Sequence, residues 1–209
     1  MSDFQEYNLI KGSGNDLFHY PAKQQGYPDS FNGVTTDRME GREWMICRGE
    51  VYRATKSKLL LIHRQELELY TEGSLLYSSG LNTTGDIPKA RGEIKKILDG
   101  LHLESARTMH WILVISELAT NVIMHADKGK IKLYDSGDCF TCCVEDEGPG
   151  FNLNDLKDKT LAAGYSTKAS LGMGFTIILK LADQVMLCNT EEGSAIIVKF
   201  YKSKGVAVY

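Results

Sequence analysis

Residues 115–126 read ISELATNVIMHA. They lie inside a longer stretch, from about Ser105 to Ala126, whose apolar residues Met109, Ile112, Leu113, Leu118, Val122 and Ile123 recur at helical spacing, so an amphipathic helix is expected. Glu117 and Asn121 stand four residues apart and therefore share a face of that helix. A carboxylate and an amide oxygen one turn apart can face a single Mg²⁺-bound phosphate group, because magnesium takes few protein oxygens and fills its shell with water and substrate phosphate. Taken alone, the pair is better explained as a solvated polar face.

Two further motifs lie downstream. Asp146-Glu147-Gly148-Pro149-Gly150 follows directly on the apolar strand-like run CFTCCVE at 139–145. An acid at the end of a strand, followed by glycines, lets the backbone approach a flat ligand while the carboxylate accepts hydrogen bonds. Ser170-Leu171-Gly172-Met173-Gly174-Phe175 then opens a helix expected to run to about Asp183. Glycines at a helix start expose N–H groups and the positive end of the dipole, which suits phosphate. No Lys follows these glycines and no parallel strand–helix repeat surrounds them, which excludes a P-loop or a Rossmann unit. Each motif alone is also an ordinary turn or loop.

The flanking pattern supplies the frame. Asp86 is expected to cap a helix carrying Ile87, Ala90, Ile94, Ile97, Leu98 and Leu101 on one stripe. Gly129 is expected to close the helix that carries Glu117. KIKLY (130–134) and CFTCCVE form a hairpin about Ser136-Gly137-Asp138, and VMLCNT (185–190) and SAIIVKFY (194–201) are the last strands. The order is strand, two helices, two strands, loop, helix, two strands, so the expected class is α+β, a two-layer sandwich with helices on one face of a mostly antiparallel sheet. Residues 44–82 look β-rich, as WMICRGEVYRA, KSKLLLIH, ELELY and SLLYSSGL, with Gly49 and Gly73 as turns. Residues 1–35 show no period.

The order and spacing of ELATN, DEGPG and LGMGF resemble the N, G1 and G2 boxes of the GHKL ATP-binding superfamily (Bergerat fold). Within it, SELATNVIMHA, VEDEGPGF and STKASLGMGFTIILKLAD are most similar to the bacterial anti-sigma-factor serine/threonine kinases. The resemblance spans about residues 84–201. It implies an ATP-dependent kinase that phosphorylates a serine on a small antagonist protein, with ATP and Mg²⁺ as cofactors. Asn121 would ligate Mg²⁺, Glu117 would act as general base, and Asp146 would bond the adenine amino group between Gly148 and Gly150. Residues 151–171 would be the ATP lid, with Thr167 and Lys168 touching phosphate, and Gly172, Met173 and Gly174 would cradle it. Ser194 stands where the family usually shows Thr. His125 is read as structural. The domain division implied is 1–83, an extension of unknown role and partly β, then 84–209, the histidine-kinase-like ATPase domain.

Partners implied are a STAS-type antagonist, a sigma factor or both, and a homodimer. Two rival readings stand beside this one. The first is an ATP-binding anti-sigma module that sequesters without turnover. The second is a divergent histidine kinase, because His63-Arg64-Gln65-Glu66-Leu67 faintly resembles a phosphoacceptor box. The glycines at 73, 80, 85, 92 and 100 and Pro88 would interrupt the long helical hairpin such a histidine requires.

Composition agrees without deciding. The 209 residues carry 43% apolar side chains and a formal net charge of −3, so a core is expected and a broadly basic nucleic-acid binder is not. No apolar run reaches membrane-helix length, and MSDFQEYN lacks signal-peptide features, so the expectation is a cytoplasmic protein without a membrane segment. Five cysteines, an odd number, are not read as a disulfide framework, and Cys139, Cys142 and Cys143 of CFTCC are read as strand residues rather than a zinc site, since only isolated Cys47 and Cys188 accompany them.

Overall fold

A computed structural model describes residues 41–101, 103–152, 156, 173–190 and 192–202. In chain order the elements are α1 (Gly41–Ala54), β1 (Leu59–Leu61), a 3₁₀ turn (Arg64–Glu66) running into α2 (Leu67–Tyr70), β2 (Ser74–Leu81), α3 (Asp86–Asp99), α4 (Ser105–His125), β3 (Gly129–Asp135), β4 (Cys139–Asp146), α5 (Met173–Leu181), β5 (Gln184–Asn189) and β6 (Ser194–Tyr201). Six strands form one sheet in the order β1-β5-β6-β4-β3-β2. Every neighbouring pair is antiparallel except β1 with β5, where Leu59, Leu60 and Leu61 run parallel to Val185, Met186 and Leu187. The α+β architecture is the one expected.

Alternation along the strands sorts the side chains onto two faces. Ile131, Leu133, Cys142, Val144, Val185, Leu187, Ile196 and Val198 face the helices and join Ala90, Ile94 and Leu98 of α3, Ile112, Ile115, Leu118 and Val122 of α4, and Phe175, Ile178 and Leu179 of α5. Trp111 is the bulkiest fully buried side chain, edge-on to Phe140 and tilted against Phe200. The opposite face carries a smaller cluster of Leu60, Ile62, Leu67, Cys143, Met186, Cys188, Ala195 and Ile197, so α2 covers part of what would otherwise be a bare sheet face.

Several local expectations are corrected. WMICRGEVYRA is helix, not strand: Trp44, Cys47 and Val51 recur at helical spacing and bury against Leu59 and Leu61, and Gly49 sits inside α1 rather than in a turn. ELELY is the short helix α2, because Leu67 has a buried place on the second face of the sheet. Gly85, not Asp86, occupies the cap of α3; the Asp86 carboxylate turns back to accept from the N–H groups of Asn82 and Thr83 at 3.0 and 2.9 Å. Gly129 opens β3 rather than ending α4, since an added Cβ would lie 2.5 Å from Val122 and 2.8 Å from the Glu145 carbonyl oxygen. Met109 and Leu113, read as inward, are exposed along with Leu101; Trp111, Val114 and Ile115 take the buried stripe of α4.

The three cysteines of CFTCC lie on a strand, as expected, while Cys47 lies on α1. Cys139, Cys142 and Cys143 are on β4, all five cysteines are free and buried, and the described residues contain no cluster able to hold a metal ion. Burial pushes the thiols up, Cys143 to about 12 and Cys188 to about 11. No helix among the described residues is long and apolar enough to cross a membrane.

Candidate functional site

Three parts of the chain converge. Helix α4 supplies Glu117 and Asn121, both half-buried and neither with a hydrogen-bond partner among the described residues. The first turn of α5 lies against them: an added Cβ on Gly174 would stand 2.6 Å from Glu117 Oε2 and 3.5 Å from Asn121 Oδ1. Neither is among the buried unsatisfied polar groups of the described residues, so both side chains reach solvent. A carboxylate and an amide left open beside a helix start therefore fit a ligand that brings its own cation and anion, and a glycine at 174 keeps the space between the two helices.

The glycine turn after β4 forms the second part. Asp146 ends the strand with both carboxylate oxygens engaged: Oδ1 accepts from the Gly148 N–H at 2.9 Å and Oδ2 from the Ser194 hydroxyl at 2.5 Å. A carboxylate has about four acceptor directions, so these bonds orient it and still leave capacity for a ligand's donor. Gly148 is enforced by crowding, since an added Cβ would lie 2.8 Å from Asp146 Oδ1 and 3.1 Å from both Ala126 Cβ and the His125 carbonyl oxygen. Gly150 is required by conformation, at φ +72°. Between this turn and the end of α4 lies a hollow of about 360 Å³ lined by Met124, His125, Ala126, Asp127, Glu147, Gly148 and Pro149. A larger cleft, about 790 Å³, is lined by residues such as Lys130, Lys132 and Glu145. Lys130 and Lys132 alternate with the core residues Ile131 and Leu133, so this cleft opens on the face away from α4 and contains neither Glu117 nor Asn121.

The third part is the β5–β6 connection. Gly193 has no room for a side chain: an added Cβ would lie 2.1 Å from the Asp146 carbonyl oxygen and 2.6 Å from Gly148 N. Asn189, at the end of β5, bonds the main chain of Phe151. Sequence reading had passed over the structural demands on Gly193 and Asn189, which look locally like a hairpin turn and a strand end.

Of the residues expected in the site, Glu117, Asn121 and Gly174 lie together on one side, and Asp146, Gly148 and Gly150 on the other. Met173 begins α5. Thr167, Lys168 and Gly172 lie outside the described residues, as does most of 151–171. His125 ends α4 exposed. His63 stacks on Trp44 with ring centroids 3.6 Å apart, and its main-chain N–H donates to Glu66 at 2.7 Å. Burial, aided by the Arg48 charge and opposed by Glu66, holds its imidazole below the usual histidine range. It precedes a three-residue 3₁₀ turn, not a helical hairpin.

Residues 82–200 match the histidine kinase-like ATPase domain. The chain belongs to this family. Serine/threonine-protein kinase RsbT of Bacillus subtilis (strain 168) is 30% identical to it over 109 residues, which cover 50% of this chain and 80% of that protein. The match spans α4, the turn after β4 and the start of α5, the three parts described above.

Proposed function

We propose that this protein is an ATP-dependent serine/threonine protein kinase that phosphorylates a serine on a small STAS-type antagonist in a partner-switching pathway. The observation that carries the reading is the pair Glu117 and Asn121, open and half-buried on α4, with Gly174 of α5 leaving space beside them. Similarity to a serine/threonine-protein kinase supports the same chemistry. Asn121 would hold Mg²⁺ and Asp146 the adenine amino group, flanked by Gly148 and Gly150. The start of α5, from Gly172 through Met173 to Gly174, would receive phosphate, with Thr167 and Lys168 beside it. Bound Mg-ATP supplies the transferable phosphoryl group and the charge that neutralises it.

In this scheme Glu117 accepts the proton of the incoming serine hydroxyl. An intact carboxylate with no side-chain hydrogen-bond partner among the described residues favours turnover over sequestration alone, which needs no base. The domain so assigned is 84–209, with the segment before it as a surface for partners or for a second copy of the chain, and the protein works in the cytoplasm.

The test is to mix the purified chain with Mg-ATP and the antagonist domain of its gene neighbourhood and to look by mass spectrometry for one added phosphate. Transfer is expected, and Glu117→Ala should reduce its rate by roughly 10²–10⁴-fold. Asn121→Ala should abolish Mg-ATP binding. Absence of transfer, with Glu117→Ala binding the antagonist as wild type does, would favour the sequestering module instead.

A further inference from the structure

The side chain of Asn189 replaces a strand neighbour for the glycine turn. Its Oδ1 accepts from the Phe151 N–H at 2.8 Å, and its Nδ2 donates to the Phe151 carbonyl at 2.8 Å. One amide thus engages both main-chain groups of one residue, as opposed residues do in a hydrogen-bonded antiparallel pair. Gly150 makes room for it: an added Cβ there would lie 3.0 Å from Asn189 Oδ1. The turn is therefore held at two ends. The Asp146 carboxylate takes the Gly148 N–H at 2.9 Å, and Asn189 takes Phe151. Asn189 itself is fixed as the last residue of β5, paired with Ser194, whose hydroxyl reaches Asp146.

We infer that Asn189 is a positioning residue of the nucleotide site: its amide clamp on Phe151 sets the geometry at which Asp146 and the glycine turn read the adenine base. The inference rests on the assignment of Asp146 to adenine. Only a group carrying both a donor and an acceptor in this arrangement can make the clamp. An ionised carboxylate keeps the acceptor but turns a second oxygen toward the Phe151 carbonyl. A protonated carboxyl restores the donor.

The experiment uses the full chain with Mg-ATP and Mg-GTP in calorimetric titration, and thermal unfolding without nucleotide. Wild type should prefer ATP. Asn189→Leu and Asn189→Asp should each lose about tenfold or more in ATP affinity, with the ATP-to-GTP preference reduced and the melting temperature close to wild type. Measured as a ratio to wild type, Asn189→Asp should recover as pH falls from about 8 to about 5.5, whereas Asn189→Leu should not. In the transfer assay the loss should fall on KM for ATP and leave kcat nearly unchanged.

Variants that bind ATP as tightly as wild type, with the same base preference, would overturn the role of Asn189 and leave the site assignment standing. Absence of nucleotide binding by wild type would remove the site assignment and this role with it. Should Asn189→Leu unfold, the pH recovery of Asn189→Asp decides, and no recovery overturns the inference. Unfolding of both variants would make Asn189 a stability element and overturn it as well.

Discussion

A methyl group in place of a hydrogen should act differently at Gly174 and at Gly193. At Gly174 the new carbon would meet Glu117 Oε2 at 2.6 Å, the far end of a side chain that can rotate away. Gly174→Ala is therefore expected to melt near wild type, yet to slow phosphoryl transfer by about 10²-fold, because a displacement of about 1 Å in a reacting group has that effect. At Gly193 it would meet the Asp146 carbonyl oxygen at 2.1 Å and Gly148 N at 2.6 Å, main-chain atoms of a paired strand and its turn. Gly193→Ala should lose about 1–3 kcal/mol in urea unfolding, with ATP binding weakened alongside. Glu117, Asn121 and Asp146 stand out as candidates in the sequence because a helix face and a strand end are local geometry. The clamp of Asn189 on Phe151 does not, because it joins residues 38 apart whose meeting depends on how β5 sits in the sheet.

Elements with a full period were readable. The stripe Ala90, Ile94 and Leu98 buries as expected, and β3, β4, β5 and β6 lie within a residue or so of the runs that announced them. Short or mixed runs were not readable. WMICRGEVYRA is rich in strand formers, but its burial follows a helical stripe, and four residues of ELELY fit either period. The ends of β3 and β6 are joined by Lys202 and Asp135 at 2.6 Å. That hydrogen bond, more than any other influence, holds the Asp135 carboxyl below its usual 3.8. A folded-state value depressed in this way contributes stability above 3.8 and loses it as pH falls through the lower folded value. Asp135→Asn should thus lose about 0.5 kcal/mol at neutral pH for so accessible a pair. The gap to wild type should close in acid, as read from urea midpoints across pH.

At the scale of the molecule, the sheet is shielded on one face by α3, α4 and α5 and on part of the other by α2. All five thiols are buried, and Cys143 and Cys188 are pushed up to about 12 and about 11, so thiolate is scarce near neutrality. Ellman's reagent at about pH 8 should leave the native protein almost unlabelled and titrate all five thiols once it is unfolded. Rapid native labelling would mean that the strands open readily. From Asp86 onward the α+β order is written in the amino-acid sequence, as are the three motifs proposed to hold nucleotide, because periodicity and glycine placement act over a few residues. That Leu59–Leu61 runs parallel to β5 as the far edge of the sheet, and that α1 is helical, follows from packing across the whole fold. A three-residue apolar run specifies no partner, and strand propensity yields to whatever packing buries Trp44, Cys47 and Val51.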